Sequence, residues 1–486
     1  MEALDDAGTL MSSRAEETRR AWLAVIERHR HDRDAAGSER YWSPRLDCAS
    51  RDEIRAIQDE KVAAVVPFLY ENSPFYRRRF DRLALGPSDI RNVDDLVAKW
   101  PVLDRAEMAE DAREHPPYGT YTAMTDAVWA ERGWMMFSSS GTTDMPRVFR
   151  YSHVDRELWA WANARALHAM DLRRGDTVFV ISGLGPHVWA WAVHSALMKM
   201  RLPWLSGGGM DAKARATVVL RYRPTILLCT PSYALYLARV MQEMGADPRT
   251  TSIRTVFVGG EPGVSVAATR ERLQELWGAR LVEFYGCTEA APHAGGFSCP
   301  ASQPVQGPVS AHLLEDVQVW ETVDPASHAA LPEGRRGLTV CTNLHSESSP
   351  QLRFLVGDYA TYDRSICACG RTHVRAIGSF AGRADDLVNL RGIKMVPSLI
   401  EDVVRGVSGA GDEFEIVLTT NPDGLDIMTV RIEHVEFPRA DHVARAVADA
   451  IRTRCEVRVD VEVLGPGTLP KTEFKAARVK DHRKKG

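Results

Sequence analysis

Residues 137–152 read FSSSGTTDMPRVFRYS. Serines, threonines and one glycine stand together there with little side-chain bulk. A loop of this kind, placed just after a strand, wraps anionic oxygens with hydroxyl and backbone N–H groups. Gly141 lets the backbone come close, and Ser138, Ser139, Ser140, Thr142 and Thr143 are the candidate donors. The GxxxxGK[ST] spacing of a Walker loop is absent. So is any lysine; the cations of the stretch are Arg147 and Arg150. A second stretch with chemical content is CACG, which supplies Cys367 and Cys369. One intervening residue is tighter than the usual zinc-knuckle spacing, so the pair alone is a weak metal signal.

The elements that must carry these loops follow from periodicity. Residues 16–35 read as a helix of mixed charge, and 49–82 as helical up to a break at SPF. From about residue 125, strands rich in β-branched residues alternate with helices; WMMFSSS, DTVFVISG, LPWLSGGG, TILLCT, IRTVFVGG and LVEFYG are the strands. That alternation predicts largely parallel, helix-covered sheets. After about residue 296, short runs such as LTVCTNL and QLRFLVGD predict an antiparallel or barrel-like portion. Beyond GSFAGRADDLV, a hairpin around NPDG, a helix over ADHVARAVADAIRTRC and a strand over EVRVDVEVL predict a small α+β unit. The expected fold class is α/β. A large N-terminal domain, residues 1–382, carries mostly parallel sheets and a small barrel-like portion; a mobile α+β lid, residues 383–486, follows. The terminal RVKDHRKKG reads as a frayed tail.

Composition narrows the function classes. With 486 residues, 44% hydrophobic and 26% charged, the chain has the makeup of a soluble globular protein of several domains. A net charge of -4 gives no long-range attraction to nucleic acid. Eight cysteines in so long a chain do not suggest a disulfide scaffold. The runs TVFVISGL and TILLCT are too short to cross a bilayer, so no membrane association is expected. The N-terminus, MEALDDAGTLMSS, has no basic segment followed by an apolar run, and the expected compartment is the cytoplasm.

The hydroxyl loop has company: GGEP at 259–262, FYGCTE at 284–289, GD at 357–358, GRADD at 382–386 and, near the end, LPKTEFKAARV. Together these resemble the adenylate-forming superfamily of acyl-CoA synthetases and adenylation domains. Within it, YWSPRLDCASRDEI, SPFYRRRFD, SSGTTDMP, TPSYALYL, FYGCTEAAPHAGGFSC, CACGRTH and GTLPKTEFKAARVKD resemble the phenylacetate-CoA ligase family, from about Tyr41 to Asp481. The resemblance implies two steps. A carboxylate attacks the α-phosphorus of ATP, giving an acyl-adenylate and pyrophosphate; the small domain then rotates and a thiol takes the acyl group. The implied cofactors are ATP, Mg²⁺ and coenzyme A or a carrier's phosphopantetheine. The implied role is an aryl-acid–CoA ligase. Loading an acyl carrier protein, or passing the acyl group to an amine, shares the first half-reaction, and a non-catalytic nucleotide-binding protein is the reading from another class.

The resemblance also implies residue roles. Ser139, Ser140, Gly141, Thr142 and Thr143 hold the β- and γ-phosphates. Thr288 bonds the α-phosphate and Glu289 holds Mg²⁺, which draws hard oxygen ligands. Tyr285 packs on adenine, with Gly260 and Glu261 at its edge. Asp358 accepts both ribose hydroxyls, for which two acceptor oxygens are suited. Arg383 serves ribose and phosphate, Asp385 is the hinge with Asp386 as its rival, and Lys475 reaches the reacting carboxylate and α-phosphate. Members of the family hold a structural zinc, and Cys299, His312, Cys367 and Cys369 fall on its ligands; His373 is the neighbour not favoured. The other cysteines read as ordinary apolar side chains. For the acyl pocket the candidates are Trp134, Phe137, Gly183, His187, Trp189, Gly208, Ala291 and His293, with an aromatic acid as substrate. A small-molecule acid is the partner, with an acyl carrier protein as the alternative acceptor, and the chain is a monomer or homodimer.

Three departures stand out. Asp144 and Met145 replace the glycine and lysine of the usual SSGTTGKP. Phe474 stands where a glycine precedes the late lysine, and Leu355 where the family often has arginine. The first removes a positive charge near pyrophosphate and adds a negative one; Arg147 and Arg150 are the cations able to compensate.

Overall fold

Ser50 and Glu53 start the long helix Arg51–Asn72 by reciprocal capping. Ser50 Oγ accepts from Glu53 N at 3.2 Å, and Glu53 Oε2 accepts from Ser50 N at 2.7 Å. The helix stops at Ser73, whose hydroxyl accepts from Tyr76 N and opens Pro74–Arg82, with proline in the first turn where its missing N–H is no loss. The SPF break is thus where expected. The preceding helix is Ser13–His29, where 16–35 was expected. Its Trp22 stacks on Phe68 with ring centroids 5.3 Å apart and is wholly buried. The computed structural model describes residues 13–30, 40–138, 147–181, 184–185, 187–289, 291–303, 308–380, 382, 388–390, 393–421, 425–434, 440–455, 457–470 and 478–483.

The chain divides into two compact units. The first comprises residues 1–176, 183–204 and 284–378; the second comprises 177–182, 205–283 and 379–486. In the first, Gly133–Ser138 and Val148–Ser152 form an antiparallel hairpin that leads directly into the helix His153–Ala169. Gln318–Val323, Gly337–Asn343 and Phe354–Ala360 form a three-stranded antiparallel sheet. Ser310–His312 is flanked by Arg375–Ile377 and Ala291–Phe297, again antiparallel. Among the described residues this portion is open, with no closed barrel. In the second unit, Val178–Val180, Ile226–Cys229 and Thr255–Gly259 are parallel neighbours. All their side chains are buried, which is why they read as unbroken apolar runs. No helix of the described residues is long and apolar enough to cross a membrane.

The C-terminal segment has its own core. Ile416, Leu418, Val430 and Ile432 pack against Ile400, Val404, Val447 and Ile451. The strands run in the order Asp460–Leu464, Asp426–His434, Ala410–Thr420, Val479–Asp481. The last of these corrects the expectation of a frayed tail: Val479–Asp481 pairs in parallel with Ile416–Leu418. Lys480 Nζ lies 2.5 Å from Glu415 Oε1 and Arg478 Nη1 2.6 Å from Glu413 Oε2, so these two basic residues are matched to acidic ones on the neighbouring strand. In the same unit, the helix Ala267–Trp277 starts after Val266, which has no capping side chain. Asp402, from the helix Pro397–Gly406, accepts from Ala268 N at 2.9 Å instead. Glu401 Oε1 accepts from Thr269 Oγ1 at 3.1 Å.

The first unit is cross-braced by buried charge. Arg165, four residues from the C-terminal end of His153–Ala169, donates to Asp47 at 2.9 Å and to Asp316 at 2.8 Å, and its guanidinium lies 4.8 Å from the Trp161 ring. Lys61 Nζ donates to the Asp316 carbonyl at 2.5 Å. Burial pushes the Lys61 ammonium down to about 8. Burial alone would raise the Asp316 carboxyl, but Arg165, His373 and Lys61 together hold it well below the usual range. Replacing Arg165 by alanine removes the one guanidinium that hydrogen-bonds both buried carboxylates. The expected loss is about 3–5 kcal/mol of unfolding free energy, read as a lower urea midpoint for the variant.

Candidate active site

The hydroxyl loop joins two strands. Phe137 pairs with Phe149 and Ser138 with Val148, so Ser138 closes the first strand. Ser139, Ser140, Gly141, Thr142, Thr143, Asp144 and Met145 lie outside the described residues. The strand Val148–Ser152 was not foreseen. Phe149, Arg150, Tyr151 and Ser152 are all buried, so the segment lacks the alternation that marks a half-buried strand.

Thr288 and Glu289 follow the strand Arg280–Cys287. Tyr151 Oη donates to the Thr288 carbonyl at 2.7 Å, tying the end of that strand to the hairpin. Glu289 is 5% exposed; its Oε1 lies 3.0 Å from Arg147 Nη2 and 3.8 Å from Arg105 Nε. Burial, then the charges of Asp155 and Glu289, push the Tyr151 phenol well above its ordinary value, so it stays a neutral donor. Tyr285, on the same strand, donates to Asp358 Oδ2 at 2.6 Å. Asp358 follows Gly357, whose φ of +87° turns the strand Phe354–Ala360 at that point. Burial and the Asp358 charge raise the Tyr285 phenol likewise. The first unit therefore brings together Tyr285, Thr288, Glu289 and Asp358. It adds Arg147, Arg105 and Tyr151, which were not named as site residues. Tyr151 and Arg147 lay within the stretch first singled out. Arg105 carried no local signal, because only the fold brings it to Glu289.

Other candidates fall elsewhere. Gly260, with φ of +88°, and Glu261 belong to the second unit. Glu261 Oε1 accepts from Ser232 N at 2.7 Å, in the first turn of Pro231–Glu243. Gly208 is exposed in that unit. Trp134 and Phe137 belong to an aromatic cluster with Trp159, whose ring is 5.6 Å and 5.9 Å from theirs; Phe137 is buried. His187 is the N-cap residue of Val188–Met200, without a side-chain cap bond, and Trp189 is in its first turn. Ala291 and His293 lie on Ala291–Phe297, with side chains outside the described set. Gly183, Arg383, Asp385, Asp386, Phe474 and Lys475 lie outside the described residues.

Cys299, His312, Cys367 and Cys369 converge, with ligand atoms all within 4.8 Å of one another. Cys299 Sγ is 4.0 Å from Cys367 Sγ, and Cys369 Sγ is 3.6 Å from His312 Nε2. Two thiolates on one tetrahedral zinc stand about 3.8 Å apart, given Zn–S bonds of about 2.3 Å. The set fits a closed site of soft ligands. Hydrogen bonds from its neighbours hold the Cys367 and Cys369 thiols below their ordinary value, while the Cys299 thiol is raised by bonds to the same pair. Burial would lower His312, but Cys367 and Cys369 prevail and raise it. The turn carrying the CxC pair is fixed by Tyr41 Oη and Arg40 Nη2, which donate to the Cys369 carbonyl at 2.9 and 3.0 Å. His373 is not part of the set; its Nδ1 accepts from Glu315 N at 3.2 Å. Of the cysteines read as ordinary apolar side chains, Cys229, Cys341 and Cys455 are buried, Cys287 is half-buried and Cys48 is exposed.

The α/β architecture with its hydroxyl loop, carboxylate pair and C-terminal α+β segment is that of an adenylate-forming enzyme. Residues 85–338 match the AMP-binding enzyme family, and residues 392–483 match the AMP-binding enzyme C-terminal domain. The chain is 30% identical over 462 residues to phenylacetate-coenzyme A ligase of Thermus thermophilus, covering 91% of this chain and 100% of that protein. It is 27% identical over 446 residues to the phenylacetate-coenzyme A ligase of Escherichia coli, covering 90% and 97%. The chain belongs to the AMP-binding enzymes and, within them, to the phenylacetate-CoA ligase family. Among solved structures, 2-hydroxyisobutyryl-CoA ligase with 2-HIB-AMP in the postadenylation state superposes with a TM-score of 0.86 at 27% identity, covering 95% of this chain and 96% of that one. The same enzyme with 2-HIB-AMP and CoA in the thioesterification state gives a TM-score of 0.69, covering 94% and 97%.

The thiol–imidazole cluster has a direct test. Metal-free protein titrated with Co²⁺ is expected to develop the thiolate-to-cobalt absorption of a tetrahedral site, saturating at one equivalent. Cys367→Ser should weaken that band, and acidification should abolish it as the thiols take up protons. An unchanged band in the variant would remove Cys367 from the ligand set.

Proposed function

We propose that this protein is an AMP-forming ligase that activates an aromatic or aryl-acetic acid and transfers the acyl group to coenzyme A. The observation that carries the reading is the pairing of Tyr285 with Asp358, beside Thr288–Glu289, in a chain that spans the whole length of a phenylacetate-coenzyme A ligase.

The roles follow from donor and acceptor chemistry. Ser139, Ser140, Gly141, Thr142 and Thr143 cradle the β- and γ-phosphates. Asp358 accepts the ribose hydroxyls, and Tyr285 offers its ring to adenine while its hydroxyl keeps Asp358 oriented. Gly260 and Glu261 border the base. Thr288 donates to the α-phosphate. Glu289 is the residue that would hold Mg²⁺; a single buried carboxylate fits an ion that keeps most of its ligands as phosphate oxygens and water. When bound, that ion neutralises phosphate charge. Lys475 neutralises charge where carboxylate and α-phosphorus meet, and Arg383 assists at ribose and phosphate. In-line attack breaks the α–β phosphoanhydride bond, leaving acyl-adenylate and pyrophosphate. The thiolate of coenzyme A then attacks the acyl carbon, and AMP leaves with the electron pair.

Water has to be kept from the adenylate, and residues 383–486, turning about Asp385, act as the lid. Its rotation breaks the bonds that Asp402 and Glu401 make to Ala268 and Thr269. Cys299, His312, Cys367 and Cys369 hold a structural zinc; three thiolates and an imidazole leave no open position for activating water. Trp134, Phe137, Gly183, His187, Trp189, Gly208, Ala291 and His293 remain the residues proposed to shape the acyl pocket.

Pyrophosphate release across a panel of aromatic and aryl-acetic acids, with and without coenzyme A, tests the reading. Acid-dependent release with thioester formation is expected. Release without a thioester would move the acceptor to a carrier or an amine, and no release with any acid would leave a binding protein. Lys475→Ala should still bind ATP while adenylate formation falls by about a hundredfold or more. Unchanged pyrophosphate release in that variant removes Lys475 from the mechanism.

A further inference from the structure

Asp144 and Met145 leave the phosphate loop with a carboxylate where family members have glycine, and with no lysine. Relative to that pattern the loop is two charge units more negative. Two arginines follow, and the structure separates them. Arg150 donates to Asp126 and to the Met124 carbonyl, and its guanidinium lies 4.2 Å from the Tyr118 ring. It is 5% exposed and braces the back of the hairpin. Arg147 sits where the loop rejoins the second strand. Its Nη2 donates to Glu289 Oε1 at 3.0 Å. Arg105 stands behind the same oxygen, with Nε 3.8 Å away, and is itself held by the Val356 carbonyl at 2.9 Å and beside the Phe354 ring at 5.8 Å.

We propose that Arg147 is the cation of the phosphate loop, taking the place of the lysine that this chain lacks. Without nucleotide its guanidinium neutralises Glu289. When a nucleoside triphosphate enters, the guanidinium passes to the β- and γ-phosphate oxygens, and Glu289 is released towards the metal ion. The inference rests on the adenylation reading of the site and deepens it. Three features favour the exchange. A guanidinium carries five donors in a planar fork, so it can bond a phosphate oxygen from the position at which it bonds a carboxylate. Arg105 is anchored independently of Arg147, so Glu289 keeps a cation beside it while Arg147 turns. Arg147 also stands next in the chain to the hydroxyl segment, immediately before Val148–Ser152.

Direct ATP binding, measured by calorimetry with no acid present, is the primary readout. It is followed by acid-dependent pyrophosphate release and by thioester formation from supplied phenylacetyl-adenylate and coenzyme A. Arg147→Gln is expected to weaken ATP binding by about ten- to a hundredfold, the range for losing a charge-assisted hydrogen bond. It should reduce pyrophosphate release, while thioester formation from the supplied adenylate stays within about twofold, since that step uses no β- or γ-phosphate. Adding Met145→Lys to Arg147→Gln should restore most of the ATP affinity. ATP binding by Arg147→Gln equal to that of the unaltered protein overturns the proposal. Failure of Met145→Lys to rescue does so too, as does loss of thioester formation from the supplied adenylate, because Arg147 would then be supporting the fold. Absence of pyrophosphate release in the unaltered protein would instead sink the adenylation reading, and the comparison of ATP binding would still decide the role of Arg147.

Discussion

A guanidinium with no access to water holds the first unit in register. Arg165 binds Asp47 from the N-terminal helices and Asp316 from the segment that follows Ser310–His312. Charges taken this far from solvent are tolerated only with partners in good geometry. The arrangement therefore fixes three pieces of chain that lie far apart in sequence. Asp47 also accepts, through its carbonyl, from Thr372 N at 3.2 Å, three residues past Cys369. At the other end of the same helix, Ser152 and Asp155 form a capping box, and Asp155 also accepts from Ser346 Oγ at 2.7 Å and Glu347 N at 2.9 Å. One helix thus links the thiol cluster, through Arg165, to the strand that closes the hydroxyl loop, through Ser152.

The polar groups of the candidate site are held before any ligand arrives. Glu289 has Arg147, Asp358 has Tyr285, and the Thr288 carbonyl has Tyr151. An unpaired carboxylate in these surroundings would be costly; pairing it with a group that can also serve a ligand removes that cost in both states. Under the proposed roles, ligand entry exchanges one partner for another instead of stripping a charge of solvent. The two phenols are raised by burial and remain donors across the working range of pH. Orientation of Asp358 and of the Thr288 carbonyl therefore does not depend on a titration near neutrality.

Much of the fold was legible because it is local. The SPF break is a serine cap followed by proline, and the parallel strands announce themselves as apolar runs buried on both faces. NPDG sits between Ala410–Thr420 and Asp426–His434 as a hairpin signal should. The four metal-type ligands were legible only through resemblance, since Cys299 and His312 say nothing by themselves. What stayed hidden is non-local. Val148–Ser152 becomes a strand because Gly133–Ser138 pairs with it, and Val479–Asp481 because Ala410–Thr420 offers an edge. Which of Arg147 and Arg150 faces Glu289 depends on strand alternation within a segment whose two faces are both covered. Arg105 reaches the same carboxylate from a helix that no spacing rule connects to it. The loop residues, Arg383, Asp385 and Lys475 lie outside the described residues, so their placement rests on the sequence.

The helix Ala267–Trp277 illustrates how an omission in sequence can be informative. Its N-terminal neighbour, Val266, offers no acceptor, although the first N–H groups of a helix need one. The acceptor comes from Asp402, in the C-terminal segment, with Arg454 2.7 Å from its second oxygen and Glu401 bonded to Thr269 alongside. A capping interaction contributes about 1 kcal/mol. That is enough to bias the position of a segment and small enough for a bound thiol or nucleotide to outweigh. A permanent serine or aspartate at position 266 would satisfy the helix from within and leave the C-terminal segment one fewer reason to dock. Borrowing the cap makes helix stability and docking a single equilibrium, which suits a segment proposed to occupy two positions in turn.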